Sequence, residues 1–354
     1  MDVKPQDFAL NAPPSGRTKM FAEAQEAPLV VADQLRRNGD IITEVCARLR
    51  ALSPRAVVTL ARGSSDNAAT FAKYLIETKL GILTSSAAPS ISSIYSARTE
   101  LKNTLVIAIS QSGRSPDLTA SLDVAKRAGA FTLALVNVGE SPLAEFADVV
   151  LPLHAGAERS VAATKSCIAS MTAIAQLVAT WSGDRVLCEE LVLLPPRLEQ
   201  AWQLDWSAAT SRLREARDLF VVARGIGFGA AQEAALKLKE TCALHAEAFS
   251  AAEVRHGPMA LANKGFPVLV FSQNDETRPG IKDTVEAFAA QGVDVLLAGF
   301  ENPRAVNLPS LGAHPALEPI LFLQSFYRMA ESLSRARGLN PDQPPHLNKV
   351  TETL

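Results

Sequence analysis

The sequence predicts an α/β protein of two tandem domains, each a parallel sheet with helices on both faces. Three observations carry this expectation. Apolar runs of five to seven residues alternate with amphipathic helical stretches, the pattern of strands buried on both sides. The plan occurs twice: Gly63 and Gly225 close the first strand of each half, Ser110 and Ser272 the second, and both pairs stand 162 residues apart. Shared offsets, with "ARG" and "SQ" at matching points, favour internal duplication. Finally, 354 residues exceed one ordinary hydrophobic core.

Taken in order, residues 1–17 are rich in Pro, Ser and Gly and read as a flexible tail. Helical periodicity begins near Thr18, in "MFAEAQEAPLVVADQLRRN" and "DIITEVCARLRAL". A first domain over 18–200 follows the plan strand "AVVTLA", turn "RGSSDN", helix "AATFAKYLIETKL", strand "TLVIAIS", turn "QSGRSPD", helix "LTASLDVAKRAG", strand "FTLALVN". Residues 194–218 are a helical connector. A second domain over 201–340 runs "DLFVVARGIGFGAA", a helix "AQEAALKLKETCALHAEAF", then "FPVLVFSQNDETRPG" and "VDVLLAGF". Residues 341–354 form a polar C-terminal tail.

Bulk properties exclude several classes. The chain is 47% hydrophobic and 20% charged, as soluble globular proteins are. A net charge of −2 offers no general attraction to nucleic acid or to an acidic membrane surface. Cys46, Cys167, Cys188 and Cys242 form no CxxC pair or Cys/His cluster, so the expectation is reduced thiols in a cytoplasmic protein without a metal. The N-terminus has no apolar h-region. "IASMTAIAQLVATW" (168–181) is too short and too polar to span a bilayer and reads as a core or interface helix.

In open parallel sheets ligands bind beyond the carboxyl ends of strands, where "RGSS" and "SQSGRSP" fall. In the second loop Ser115 suits a helix N-cap, Pro116 the first helical position and Asp117 the first turn. Free N–H groups there, with the hydroxyls of Ser110, Ser112 and Ser115, could hold a phosphate. Arg114 could add charge, and Gly113 could let the chain approach a ligand closely. The same residues also make an ordinary strand-to-helix turn, and both readings stand at this point. The matching loop of the second half, "SQNDET", carries acidic residues that would repel a phosphate, leaving one competent anion site.

Six ordered stretches, "ARGSSDNA", "SQSGRSPDL", "ERSVAATK", "ALKLKETCALHAEAF", "EVRHGP" and "DQPPHLNKVTETL", resemble the two sugar-isomerase (SIS) domains of glucosamine-6-phosphate synthase, from about Thr18 onward. The glutaminase part of that enzyme has no counterpart in these residues, a layout similar to synthase-type glucosamine-6-phosphate deaminases and to fructosamine deglycases. The resemblance implies flavodoxin-like three-layer domains. It implies a phosphosugar held by Gly63, Ser64, Ser65, Ser110, Gln111, Ser112 and Ser115, with Val161 and Ala163 beside it. It further implies a base at Glu240, a ring-opening imidazole at His256 supplied by a neighbouring subunit, and lysines at Lys237 and Lys349. A homodimer with the active site at its interface follows, with no cofactor.

The residue types suit that chemistry. One carboxylate can carry a proton between adjacent carbons, an imidazole can exchange protons during ring opening, and a lysine can polarise a carbonyl or form an imine. Lys237 and Glu240 stand three apart on one helix and face the same way. Each taken singly has an ordinary alternative: a solvated ion pair, a surface histidine in a turn, a lysine in a loose tail. Only their joint occurrence in order argues for a site. Two departures from the synthase pattern are Arg114, where that enzyme has an acidic residue, and Ala163, where it has a serine. The expected activity is isomerising deamination of glucosamine 6-phosphate. Alternatives are a fructosamine-6-phosphate deglycase, an ammonia-dependent synthase and, from another class, a non-catalytic sugar-phosphate sensor.

Overall fold

A computed structural model describes residues 16–349 apart from 96 and 98. Most of the expected flexible tail, and residues 350–354 of the C-terminal tail, lie outside the described residues. Three helices open the chain: α1 (Lys19–Gln25), α2 (Ala27–Arg37) and α3 (Gly39–Leu52). The first two divide at Glu26, with Pro28 in the first turn of α2, where its missing N–H costs nothing.

The first sheet comprises β1 (Ala56–Leu60), β2 (Thr84–Ser86), β3 (Thr104–Ser110), β4 (Phe131–Val136) and β5 (Val149–Pro152). Its helices are α4 (Ser64–Leu80), α5 (Ser90–Ser93), α6 (Pro116–Arg127), α7 (Pro142–Phe146) and α8 (Lys165–Ser182). Next come α9 (Arg185–Val192), α10 (Leu194–Gln203) and α11 (Ser207–Leu213). The domain boundary expected at residue 200 therefore falls inside α10. The second sheet comprises β6 (Asp218–Ala223), β7 (His245–Ser250), β8 (Pro267–Phe271), β9 (Asp294–Ala298) and β10 (Val306–Leu308), with helices α12 (Phe228–Cys242), α13 (Arg278–Ala290) and α14 (Glu318–Ala336).

Both sheets are parallel throughout, ordered β2-β1-β3-β4-β5 and β10-β9-β8-β6-β7. Read from opposite edges they have the same order, so the duplication expected from the 162-residue offset is present in the topology. Strand β3 is buried along its whole length, as the unbroken "TLVIAIS" run requires. Helix α8 is buried almost throughout, in the core position expected for 168–181. Among the described residues no helix is long and apolar enough to cross a membrane, and all four cysteines are free.

One expectation is corrected. "AQEAALKLKETCALHAEAF" is not a single helix: α12 stops at Cys242, Ala243 adopts a left-handed conformation (φ 49°), and His245–Ser250 pairs with β6 as an edge strand. Alanine and glutamate favour helix intrinsically, but the gain from completing the sheet overrides that weak preference.

The two domains share one apolar core, joined where α4 lies against α12. Gly229 makes the approach possible: a Cβ there would fall 2.5 Å from the Asn67 carbonyl oxygen and 2.9 Å from the Phe71 nitrogen. This contact brings the side chains of α12 over the carboxyl edge of the first sheet.

Candidate active site

The strand order of the first sheet reverses between β1 and β3, and the loops leaving these two strands form the crevice where such sheets bind ligands. The cleft there encloses about 320 Å³. Gly63, Ser64 and Ser65 enter from the start of α4, and Ser110, Gln111, Ser112 and Ser115 from the loop before α6. Val161 and Ala163 form a side wall, and Lys237, Glu240 and Lys349 complete it. Twelve of the thirteen expected site residues thus meet in one place, from five distant parts of the chain. The exception is His256, which is exposed at the end of a short 3₁₀ turn and does not line the cleft.

The β3–α6 loop is folded by its own serines. Ser110 Oγ accepts the Gly113 N–H at 3.0 Å and Ser112 Oγ the Arg114 N–H at 3.3 Å, leaving both O–H protons for other acceptors. Ser115 is the N-cap of α6, but its side chain makes no capping bond, so this hydroxyl also keeps its hydrogen-bonding capacity. Gly113 has a packing requirement that the sequence did not show. It adopts φ 64°, and a Cβ would land 2.1 Å from Ser141 Oγ, so packing beneath the loop excludes a side chain.

The expected extra charge is also relocated. Arg114 is exposed and does not line the cleft, whereas Arg62 does. Both Nε and Nη2 of Arg62 donate to Asp117 Oδ2, at 3.0 and 2.8 Å, which fixes the guanidinium across the mouths of β1 and β3.

In the second domain the matching loop is closed on itself. Gln273 Nε2 donates to Arg224 O at 2.7 Å, Asp275 Oδ2 at 2.9 Å and Thr277 Oγ1 at 3.1 Å. A Cβ on Gly225 would meet Thr277 at 2.9 Å, whereas nothing lies within 4 Å of the equivalent point on Gly63. The Asp275 carboxylate accepts the Thr277 N–H at 2.9 Å and fills the cradle from within.

Helix α12 brings a cluster of one lysine and two glutamates to the cleft. Lys237 is fully buried, hydrogen-bonded to Glu240, and 3.6 Å from Glu233 Oε1. Burial alone would lower its pKa, but Glu233 and Glu240 together raise it above the ordinary lysine value. Lys237 therefore stays an ammonium, and imine formation by this lysine is disfavoured. Glu233 is raised by burial, with Lys237 opposing; it accepts hydrogen bonds from Asn67 at 2.9 Å and Tyr327 at 3.0 Å.

Lys349 arrives on a C-terminal strap, residues 339–349. Its Nζ lies 3.2 Å from Glu158 Oε2, whose side chain is fully buried. Burial pushes the Glu158 pKa up, yet the Lys349 charge and hydrogen bonds from Ser166 and Thr164 outweigh it and hold the carboxyl below its usual value. The strap is pinned at Asp342, whose carboxylate accepts the Lys19 and Met20 N–H groups at 2.8 Å each. Farther along α1, Glu23 accepts the Arg159 and Ser160 N–H groups, so one short helix fixes both the strap and the loop beside Glu158.

Arg62, Glu158 and Glu233 escaped the sequence reading. Glu158 stands inside "ERSVAATK" and Glu233 one turn before Lys237, so both had a local signal. Tyr327 had none. Among the described residues no cluster of three or more metal-ligating side chains occurs.

Fold and cleft define a class: a duplicated α/β protein with a hydroxyl-lined crevice on one sheet, completed by acidic and basic side chains from the other half. The chain belongs to the SIS domain family, whose model matches residues 52–180 and 212–298. It is 31% identical over 352 residues to the glutamine–fructose-6-phosphate aminotransferase (isomerizing) of Thermococcus kodakarensis, covering 93% of this chain and 57% of that protein. Against the Aquifex aeolicus protein of the same name it is 32% identical over 340 residues, with 94% and 57% covered. The chain thus spans about 57% of the length of these relatives.

A solved structure from Silicibacter pomeroyi DSS-3, described as a candidate phosphosugar isomerase, is 39% identical with a TM-score of 0.89, over 92% of this chain and 100% of that one. Two more distant structures share the fold. The C-terminal domain of glucosamine-fructose-6-phosphate aminotransferase from Francisella tularensis is 24% identical (TM-score 0.83; 93% and 99% covered). Glucosamine-6-phosphate deaminase from Thermotoga maritima is 22% identical (TM-score 0.76; 95% and 100% covered).

Proposed function

We propose that the chain is a cytoplasmic enzyme that converts glucosamine 6-phosphate and water to fructose 6-phosphate and ammonia. The observation that carries this reading is the placement of Glu240 and Lys237 in the same cleft as the hydroxyl-lined β1 and β3 loops. The phosphate sits against Ser110, Ser112 and Ser115 at the start of α6, with Arg62 adding positive charge. The open-chain carbonyl end then reaches α12. Glu240 removes the C2 proton and returns it to C1 while one nitrogen proton passes to the C1 oxygen, leaving an imine at C2. Water adds to C2, the C–N bond breaks, and ammonia departs. The Lys237 ammonium orients Glu240, while Lys349 sits where it can donate to the sugar oxygens. His256 lies outside the cleft of its own chain, and in this proposal it opens the ring in the cleft of a second copy.

The relatives' names specify amination of fructose 6-phosphate by glutamine; since the same proton shift serves both directions, a second reading is the reverse reaction with free ammonia as the nitrogen donor. An ammonia-release assay on glucosamine, galactosamine and fructoselysine 6-phosphates tests the proposal. Release from glucosamine 6-phosphate supports it, and consumption of the glycated amino acid alone overturns it.

A further inference from the structure

A second cavity of about 460 Å³ adjoins the cleft and shares Glu240 and Leu347 with it as wall residues. It lies between the end of α12 and the strap. Its walls are mainly apolar, from Leu236, Ala243, Leu339, Pro344, Pro345 and Leu347. Nothing in the deamination of an unsubstituted amino sugar uses this space. Ammonia is about the size of water, whose share of liquid volume is about 30 Å³, and an apolar chamber offers it no partners.

The layout says what would use it. With Glu240 as the base acting between C2 and C1, the nitrogen on C2 lies beside Glu240, which is a wall of both the cleft and the cavity. A group attached to the nitrogen on C2 would project past that carboxylate, toward the walls that cleft and cavity share.

We propose that this cavity is the subsite for an organic group on the substrate's nitrogen, so that the chain takes amino-sugar phosphates carrying an apolar N-substituent. The inference rests on the cleft being the phosphosugar site. The chemistry balances without an added oxidant or reductant. Glu240 moves the C2 proton to C1 and the N–H proton passes to the C1 oxygen, giving the N-substituted imine at C2 and a hydroxyl at C1. A water oxygen becomes the C2 carbonyl oxygen, and the C–N bond breaks with its electron pair going to nitrogen. The protons of that water end on the departing primary amine, which leaves through the cavity in place of ammonia.

Binding of two unreactive alcohols tests this. 2-Amino-2-deoxyglucitol 6-phosphate and its N-butyl derivative have no carbonyl, so calorimetry on the full chain reads affinity without turnover. Burial of one methylene is worth about fourfold in affinity, and the N-butyl compound is expected to bind at least tenfold more tightly than its parent. In Ala243→Trp, which fills the cavity, the ratio of the two affinities should fall to near one. Equal or weaker binding of the N-butyl compound to the wild-type chain, with the parent bound, overturns the inference and leaves the deaminase reading standing. A preference that survives Ala243→Trp places the group elsewhere and also overturns it. If neither compound binds, the phosphosugar reading falls and the inference with it.

Discussion

Asn67 on α4 donates a 2.9 Å hydrogen bond to Glu233 on α12, across the seam between the duplicated halves. The bond sits one helical turn from Lys237, which Glu233 and Glu240 flank. The side chains that would carry chemistry are therefore referenced to the helix that opens at the anion cradle. Assembly of the site is a consequence of domain packing.

Glu240→Gln should lower the rate of ammonia release by a factor of about 10²–10⁴, the usual contribution of a general base. Affinity for the unreactive glucitol 6-phosphate should change much less, because the phosphate contacts come from other loops. Steady-state kinetics beside calorimetry separates the two, and full turnover in this variant would refute the mechanism.

Gly229→Ala should push α4 and α12 apart, since the new Cβ meets backbone atoms at 2.5 and 2.9 Å that cannot rotate away. Overpacking of this kind costs about 1–3 kcal/mol. Both the urea midpoint and the turnover should fall. Gly312→Ala, at a site with nothing within 4 Å and no positive φ, is the control expected to change neither.

Arg62→Met should weaken sugar-phosphate binding and also destabilise the fold. The loss of stability comes from Asp117, whose fully buried side chain keeps the Leu118 N–H bond but loses both Arg62 bonds, at a cost of about 1–3 kcal/mol. Asp117→Asn in the same chain should recover part of the stability but not the binding. Arg114→Ala should leave both close to wild type, which chemical denaturation and calorimetry can establish.

The Glu158–Lys349 contact predicts an acid limb. Because the native carboxyl lies below its ordinary value of 4.5, its stabilising contribution is present above that pH and lost as pH falls through the lower native value. The difference in melting temperature between wild type and Glu158→Gln should be constant near neutrality and shrink below about pH 4.5. A difference that persists unchanged into strong acid would show that the charge has no part in it.

Asp342→Ala should loosen the strap by releasing two N–H groups of α1, at a cost of about 0.5–2 kcal/mol. Turnover should drop more than parent-analogue affinity, since Lys349 shifts while the cradle stays. Equal loss of both would assign Asp342 a purely structural role.

The architecture was legible because its central strands are continuous apolar runs and its turns repeat at a fixed offset. The edge strands were harder. His245–Ser250 is alanine-rich and partly exposed, so only its pairing with β6 identifies it. At the site, local spacing left the serine loop open between a turn and a cradle and showed only that Lys237 and Glu240 face the same way; their assignment to a site came from the family resemblance. The roles of Arg62 and Arg114 could not, because side-chain direction in a loop depends on which neighbour offers a carboxylate, here Asp117. Glu233 needed Asn67 and Tyr327, which are 166 and 94 residues away in sequence.

The self-filled loop of the second domain has a countable consequence. Gln273 and Thr277 occupy the space that Gly63 leaves open in the first domain, so under the proposed function the duplication does not double the number of receptors. Titration with a phosphosugar should saturate at one equivalent per chain and follow a simple hyperbola within it. The closed half contributes its helix α12 to the open one, as the scaffold that carries Lys237 and Glu240 to the cleft.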